Sequence, residues 1–396
     1  MLIRRRNPEV LRLTLAQALA VLSNLGHAAF TGLAGAMLAP DPAMATVPIS
    51  FIVVGTLVSA LPMSFFMRRH GRRAGFLLAA GLGFACGILG ALALFLNSFW
   101  LLSLASFCQG IYQAGIQYYR FAAMEAADPH DHGRAVATVL GGGLIGAVAG
   151  PWIFARMEDL FAPLTFVGVF VALAGFAALA VLVLSGTSAG RPDAAETEEA
   201  ATRPLAVIMR QPAFICALAS ATGAYSLMVL AMTAAPLHMV ACGLTTGDAA
   251  SAIQWHILAM FLPSFFVGRL IARWGESMVV ATGAMLFMAG GYAAMTGLAL
   301  VNFQLALVLV GAGWNFLFTG GTTMLARCYR PAERAKVQGL NEMMVFGGSA
   351  VSSFLAGTLL VTVGWDAINL AVIIGGGLVL AIALLQWRLQ RAAARA

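Results

Sequence analysis

The chain has 396 residues, of which 61% are hydrophobic and only 10% charged, and its mean hydropathy is +0.88. An average soluble domain carries about a quarter charged residues, so this composition excludes a disordered chain, a collagen-like chain and a water-soluble enzyme. The net charge of +7 comes from basic residues lying in the breaks between apolar runs, which argues against a nucleic-acid surface.

Twelve apolar runs of about 20–28 residues account for nearly all of the chain, each long enough to cross about 30 Å of hydrocarbon as a helix. This predicts an all-α membrane protein with 12 transmembrane helices. The basic stretch from Met1 to Arg12 precedes a run too long for a cleaved signal peptide, and reads as the start of the first span. Span 1, Leu11–Leu38, carries Asn24 and His27. Span 2, Val47–Met67, ends in Met63 and Met67, one turn apart, which read as packing. Span 3 is Ala74–Leu96. Span 4, Phe99–Ala123, carries Gln109, Gln113 and Gln117 at helical spacing, with Tyr112, Tyr118 and Arg120 nearby, and so has a polar face able to line a pathway or bind an organic solute. Spans 5 and 6 are Ala135–Phe154 and Leu160–Leu184, and the glycines of spans 3 and 5 suit close helix packing.

A polar linker from Ser185 to Arg203, with Pro192, Asp193, Glu196, Glu198 and Glu199, leads to a short amphipathic piece, Leu205–Arg210. The expected division is therefore an N-terminal bundle over 1–184, a linker over 185–210 and a C-terminal bundle over 211–396. Spans 7 to 12 are Phe214–Val240, Asp248–Gly268, Met278–Leu298, Phe303–Leu325, Val337–Val361 and Ala367–Trp387. With the N-terminus inside, 22 of the 23 basic residues fall on the inner side and Arg156 alone on the outer. Both termini are therefore expected in the cytoplasm, in a bacterial inner membrane.

The halves repeat each other. Arg69-His70-Gly71 after span 2 matches Arg273-Trp274-Gly275 after span 8, and Pro129-His130-Asp131 matches Pro331-Ala332-Glu333. A six-plus-six parallel duplication puts a solute site near mid-depth. These features resemble the major facilitator superfamily along the whole chain. The family's loop motif after the second helix is met by Arg69, Gly71 and Arg72, although Ser64 and Arg68 replace its first Gly and its Asp, so its Asp-based charge relay is missing. The resemblance implies alternating access, with the first, second, fourth and fifth spans of each half lining the cavity.

On two of those spans sits a soft set: Met228 and Met232 on span 7, His256 and Met260 on span 8, each pair one helical turn apart near mid-depth. Three thioethers and an imidazole suit Cu(I) and suit Mg, Ca or Mn poorly. The pattern resembles the CcoA-like copper importers, inner-membrane facilitators that supply copper for assembly of cbb-type haem–copper oxidase. That resemblance implies copper as cargo, a role for Cys242 and Cys216, and a cytoplasmic copper acceptor. His238 and Met239 join Cys242 as a candidate metal relay at the outer end of span 7.

Glu342, the one carboxylate well inside a span, is a candidate for proton coupling or for a gate with Lys336 or an arginine; His27 is a second candidate for coupling. Cys86, Cys108 and Cys328 read as small buried residues, and the five cysteines form neither a CxxC pair nor a disulfide framework. No nucleotide-binding loop or catalytic constellation is found, so no enzyme, no resident cofactor and no nucleic-acid partner is expected, and the chain reads as a monomer. The leading expectation is a copper importer. Its alternatives are an importer of an organic solute such as riboflavin, as relatives in the wider family are, and a membrane protein that holds copper without transporting it.

Overall fold

The computed structural model describes residues 7–41, 44, 47–188 and 202–393. Arg4 to Arg6, most of the acidic linker and Arg395 lie outside the described residues. The described residues form fifteen α-helices and no strand. They are α1 (Pro8–Leu38), α2 (Val47–His70), α3 (Arg72–Phe95), α4 (Phe99–Ile116), α5 (Tyr119–Glu125), α6 (His132–Met157), α7 (Val167–Ser185) and α8 (Leu205–Met209). After the linker piece α8 come α9 (Pro212–Ala241), α10 (Thr246–Phe261), α11 (Val267–Trp274), α12 (Glu276–Met295), α13 (Leu300–Leu325), α14 (Arg334–Thr362) and α15 (Gly364–Ala393).

The helix starts follow local chemistry. Asn7 caps α1 by accepting from the Glu9 amide, with Pro8 in the first turn, where its missing N–H costs nothing. Thr245 and Asp248 form a reciprocal capping box on α10. Gly71 and Gly275, at φ 89° and 80°, each form a one-residue link between two helices, a conformation that a side chain would strain.

Among the described residues, ten helices are long and apolar enough to cross a membrane, and a bent pair makes an eleventh. That pair is the predicted span 8, which bends by 50° before α11, where Pro263 removes a backbone donor. The predicted span 4 is also divided. It runs as α4, turns at Gln117 and Tyr118, and continues as α5; Tyr118 holds the turn by donating from Oη to the Ala60 carbonyl at 2.6 Å. Its glutamines dilute the apolar character that marks the other spans. The predicted span 6 starts late, at Val167, because the chain first turns back so that the Phe166 amide donates to the Glu158 carbonyl.

Large apolar side chains such as Leu182, Val301 and Phe354 lie on the surface, as a lipid solvent allows. The chain folds as two units. The first holds Met1–Ala127, Thr138–Ala200 and Arg334–Met343; the second holds Asp128–Ala137, Ala201–Glu333 and Met344–Ala396. The start of α14 thus belongs to the first unit and the rest of it to the second. The first unit packs around Leu94, Leu102, Phe154, Phe166 and Phe170, and the second around Leu230, Met239, Phe303, Leu307 and Trp365.

Candidate functional site

In the first unit the amide stripe of α4 is ordered by its neighbours. Gln109 donates from Nε2 to Asn24 Oδ1 at 3.1 Å, which joins two predicted pathway residues on α1 and α4. The Oε1 atoms of Gln109 and Gln113 are buried without a partner. Gln117 accepts from Arg120 Nη1 at 2.8 Å, and Arg120 Nη2 donates to Glu342 Oε1 at 2.5 Å. Both members of this ion pair are buried, at 2% and 0% side-chain exposure. Asn341 donates to the same Glu342 oxygen, while Glu342 Oε2 has no partner. The sequence left open which cation Glu342 would face, and the structure places Arg120 there. Sequence reasoning places Arg120 beside the glutamine stripe of span 4 but does not single it out as the partner of Glu342.

His27 lies apart from this network. Its ring nitrogens approach Thr31 Oγ1 at 3.0 Å and Cys86 Sγ at 3.4 Å, and its ring meets Phe170 edge-on. It therefore packs against α3 and α7. Cys86 and Cys328 are buried as expected, and Cys108 is half-buried.

The loop motif keeps an ion pair without the family's Asp. Arg72 donates to both Glu125 oxygens and to Gln338 Oε1. Burial alone would raise the Glu125 carboxyl, but Arg72 and Arg334 outweigh it and hold it below its ordinary value. The corresponding position in the second unit is Glu276, which pairs with Arg327 at 2.7 Å, so the charges are exchanged between the repeats. Arg69 and Arg273 lie in the last turns of α2 and α11, where a positive charge complements the helix end.

In the second unit the four soft groups are held differently from one another. His256 is fully buried and donates from Nδ1 to the Leu307 carbonyl of α13 at 2.7 Å. A carbonyl only accepts, so Nδ1 carries the proton, and Nε2 is left as a buried lone pair without a partner. Met228 is buried, whereas Met232 and Met260 are half-buried. The Met260 carbonyl accepts from Asn315 Nδ2 at 2.7 Å. The bonds made by His256 and Met260 thus run to α13. The relay set is divided as well. Cys242 is exposed with its sulfur 3.5 Å from His238 Nε2, His238 stacks on Trp365, Met239 is buried in the core, and buried Cys216 lies near the other end of the 30-residue α9.

Sequence reasoning missed a ring cluster beside these residues. Tyr225 of α9 meets Trp314 and Phe318 of α13 and Phe346 of α14, at ring separations of 5.3, 5.0 and 6.0 Å. The spacing of Trp314 and Phe318, one turn apart, was the available signal.

The sequence model of the Major Facilitator Superfamily matches residues 13–314 and 230–395. The chain belongs to the Major Facilitator Superfamily. It is a secondary transporter of that group and not an enzyme. It is 40% identical over 394 residues to the riboflavin transporter RfnT of Brucella anthropi, covering 99% of this chain and 98% of that one. It is 32% identical to the uncharacterized superfamily transporter YdeG of Bacillus subtilis, over 86% of this chain and 82% of the relative. Among solved structures, the fucose:proton symporter FucP of E. coli has a TM-score of 0.77 at 15% identity, covering 96% and 98% of the two chains. A bacterial homologue of the iron transporter ferroportin has 0.73 at 13%, covering 96% and 99%. At such identities the structures show the fold alone. The expected superfamily membership is met; the finer resemblance to copper importers finds no support in these relatives, and neither do the copper and oxidase-assembly roles expected from it.

Proposed function

We propose that this protein imports an organic solute of the flavin type by alternating access across a bacterial inner membrane, with both termini in the cytoplasm. The observation that carries the reading is end-to-end 40% identity to a riboflavin transporter. The amide face of Asn24, Gln109, Gln113 and Gln117 is chemically suited to it, because unspent amide groups can hydrogen-bond a ribityl chain or a heterocycle edge. In this reading the Arg120–Glu342 pair acts as the coupling group or gate: a carboxylate with one oxygen unpartnered is the group in the first unit best placed to exchange a proton or release its cation. The loop pair Arg72–Glu125 then stabilises one state of the cycle.

A second reading, copper as cargo, is favoured by one observation, the buried lone pair at His256 Nε2 beside a methionine-bearing helix. In it Met228, Met232 and Met260 complete the ligand set and Cys242 passes the metal inward. A riboflavin-auxotrophic bacterium without a flavin transporter separates the two. Cells carrying this protein should grow on low external riboflavin, with uptake competed by excess riboflavin and indifferent to copper chelators. Failure to rescue at verified membrane levels, with copper-64 accumulation that Met228→Leu abolishes, would replace the flavin reading with the copper one.

A further inference from the structure

The ring cluster of the second unit has features that packing alone leaves unexplained. Trp314 and Phe318 lie nearly parallel, 4.9 Å apart at 21°, and Tyr225 stands edge-on to both. Trp314 and Phe318 are 2% and 1% exposed, whereas Tyr225 is half-buried, so Tyr225 is the ring through which the cluster reaches its surface. Around the rings, polar atoms are left open. Trp314 Nε1 is buried without an acceptor, and Thr222 Oγ1 and Ser226 Oγ, which flank Tyr225 on α9, are buried without partners.

Hydroxyls in apolar helices ordinarily donate to the carbonyl four residues back. Thr14, Thr56, Ser103, Ser106, Ser220, Thr282 and Ser349 all do so in this protein. Thr222 and Ser226 depart from that habit, as do Ser23, Thr319 and Thr322, and these two are the ones that flank Tyr225. Gly348 of α14 lies opposite them, and a Cβ there would collide with Ser226 Oγ, so the glycine keeps the hydroxyls uncrowded.

We propose that this cluster receives the fused isoalloxazine ring of a flavin. The inference rests on the flavin reading above and gives it a ring-binding site. Tyr225 turns from its edge-on position to stack on the ring face. Trp314 Nε1 donates to a ring carbonyl, and the hydroxyls of Thr222 and Ser226 bond the remaining carbonyl and the imide N–H. The match is chemical. The ring is flat and electron-poor against electron-rich tyrosine and tryptophan, and its polar edge alternates acceptors with one donor, which an indole N–H and two rotatable hydroxyls can satisfy.

The test uses the full-length protein in lipid nanodiscs and reads the quenching of riboflavin fluorescence on binding. Lumichrome, the fused ring without its ribityl chain, should displace riboflavin, and ribitol at the same excess should not. Tyr225→Leu and Phe318→Leu should weaken binding about tenfold, and Tyr225→Phe by less than about twofold. Trp314→Phe, which keeps a ring and removes the N–H, should weaken it about two- to tenfold. Displacement by ribitol but not lumichrome would overturn the site without needing a variant. Wild-type affinity in Tyr225→Leu and Trp314→Phe, in a protein that carries riboflavin, would also overturn the site and leave the transport reading standing. A wild-type protein that binds no riboflavin would remove both.

Discussion

The two repeats use the same helix packing to opposite chemical ends. In the first unit Gly110 brings α4 against the Ile52 carbonyl of α2, and in the second Gly311 brings α13 against the His256 carbonyl of α10. In that register Trp314 and Phe318 take the places of Gln113 and Gln117. One scaffold therefore presents amides on one copy and aromatic rings on the other. The loop pairs make the same point with charge, since Arg72–Glu125 answers to Glu276–Arg327 with the signs exchanged. Backbone packing has kept the duplication, while the side chains at matching positions have diverged from amides to rings.

The largest effect should come from the pair that has no counterpart among the described residues of the second unit. Glu342→Ala leaves the Arg120 guanidinium buried without its carboxylate, which costs about 3–5 kcal/mol, so a fall in Tm and loss of riboflavin uptake are expected. The double variant Arg120→Leu with Glu342→Leu should recover Tm but not transport. Recovery of both would reduce the pair to a structural role.

Next in size is the contrast between the amide and aromatic faces. Gln113→Leu should weaken riboflavin about two- to tenfold, since it removes hydrogen-bonding groups from the amide face. Unchanged riboflavin affinity would mean that the amide face does not hold the solute.

A smaller effect concerns the loop pair. Because Arg72 and Arg334 hold the Glu125 carboxyl below its ordinary value, the pair adds stability that is present above the unfolded carboxylate pKa of about 4.3. That stability is lost as the pH falls through the lower folded value. Thermal unfolding of wild type and Glu125→Gln should differ at neutral pH and converge in acid; a constant gap would mean that the carboxylate charge contributes nothing.

The smallest change is expected at His256. His256→Leu removes one bond to a carbonyl and about 1 kcal/mol of stability, with riboflavin uptake within about twofold of wild type. A loss of copper-64 accumulation in this variant would instead favour the copper reading.

Much of the fold could be read from hydropathy. Most predicted spans match helices to within a few residues, because continuous apolar runs have one stable form in lipid. The misplaced spans are those where hydropathy is silent about backbone. Span 4 divides at Tyr118, span 8 bends near Pro263, and span 6 starts late after the turn at Phe166. The site was harder to read. The stripe of Gln109, Gln113 and Gln117 and the isolated Glu342 stood out because polar groups are rare in such a chain. Tyr225, Trp314, Phe318 and Phe346 did not, since two aromatics one turn apart in an apolar run are a faint signal until three helices bring the rings together. The methionines stood out by spacing alone: the bonds to α13 come from His256 Nδ1 and the Met260 carbonyl, and neither involves a thioether.

The decisive measurement is uptake of radiolabelled riboflavin into proteoliposomes that hold only the purified protein and a high internal store of unlabelled riboflavin. Transient accumulation of label by exchange is predicted, blocked by external lumichrome and unaffected by Cu(I) or its chelators. Absence of exchange by monodisperse protein, with Cu(I) entering the same vesicles, would contradict flavin transport.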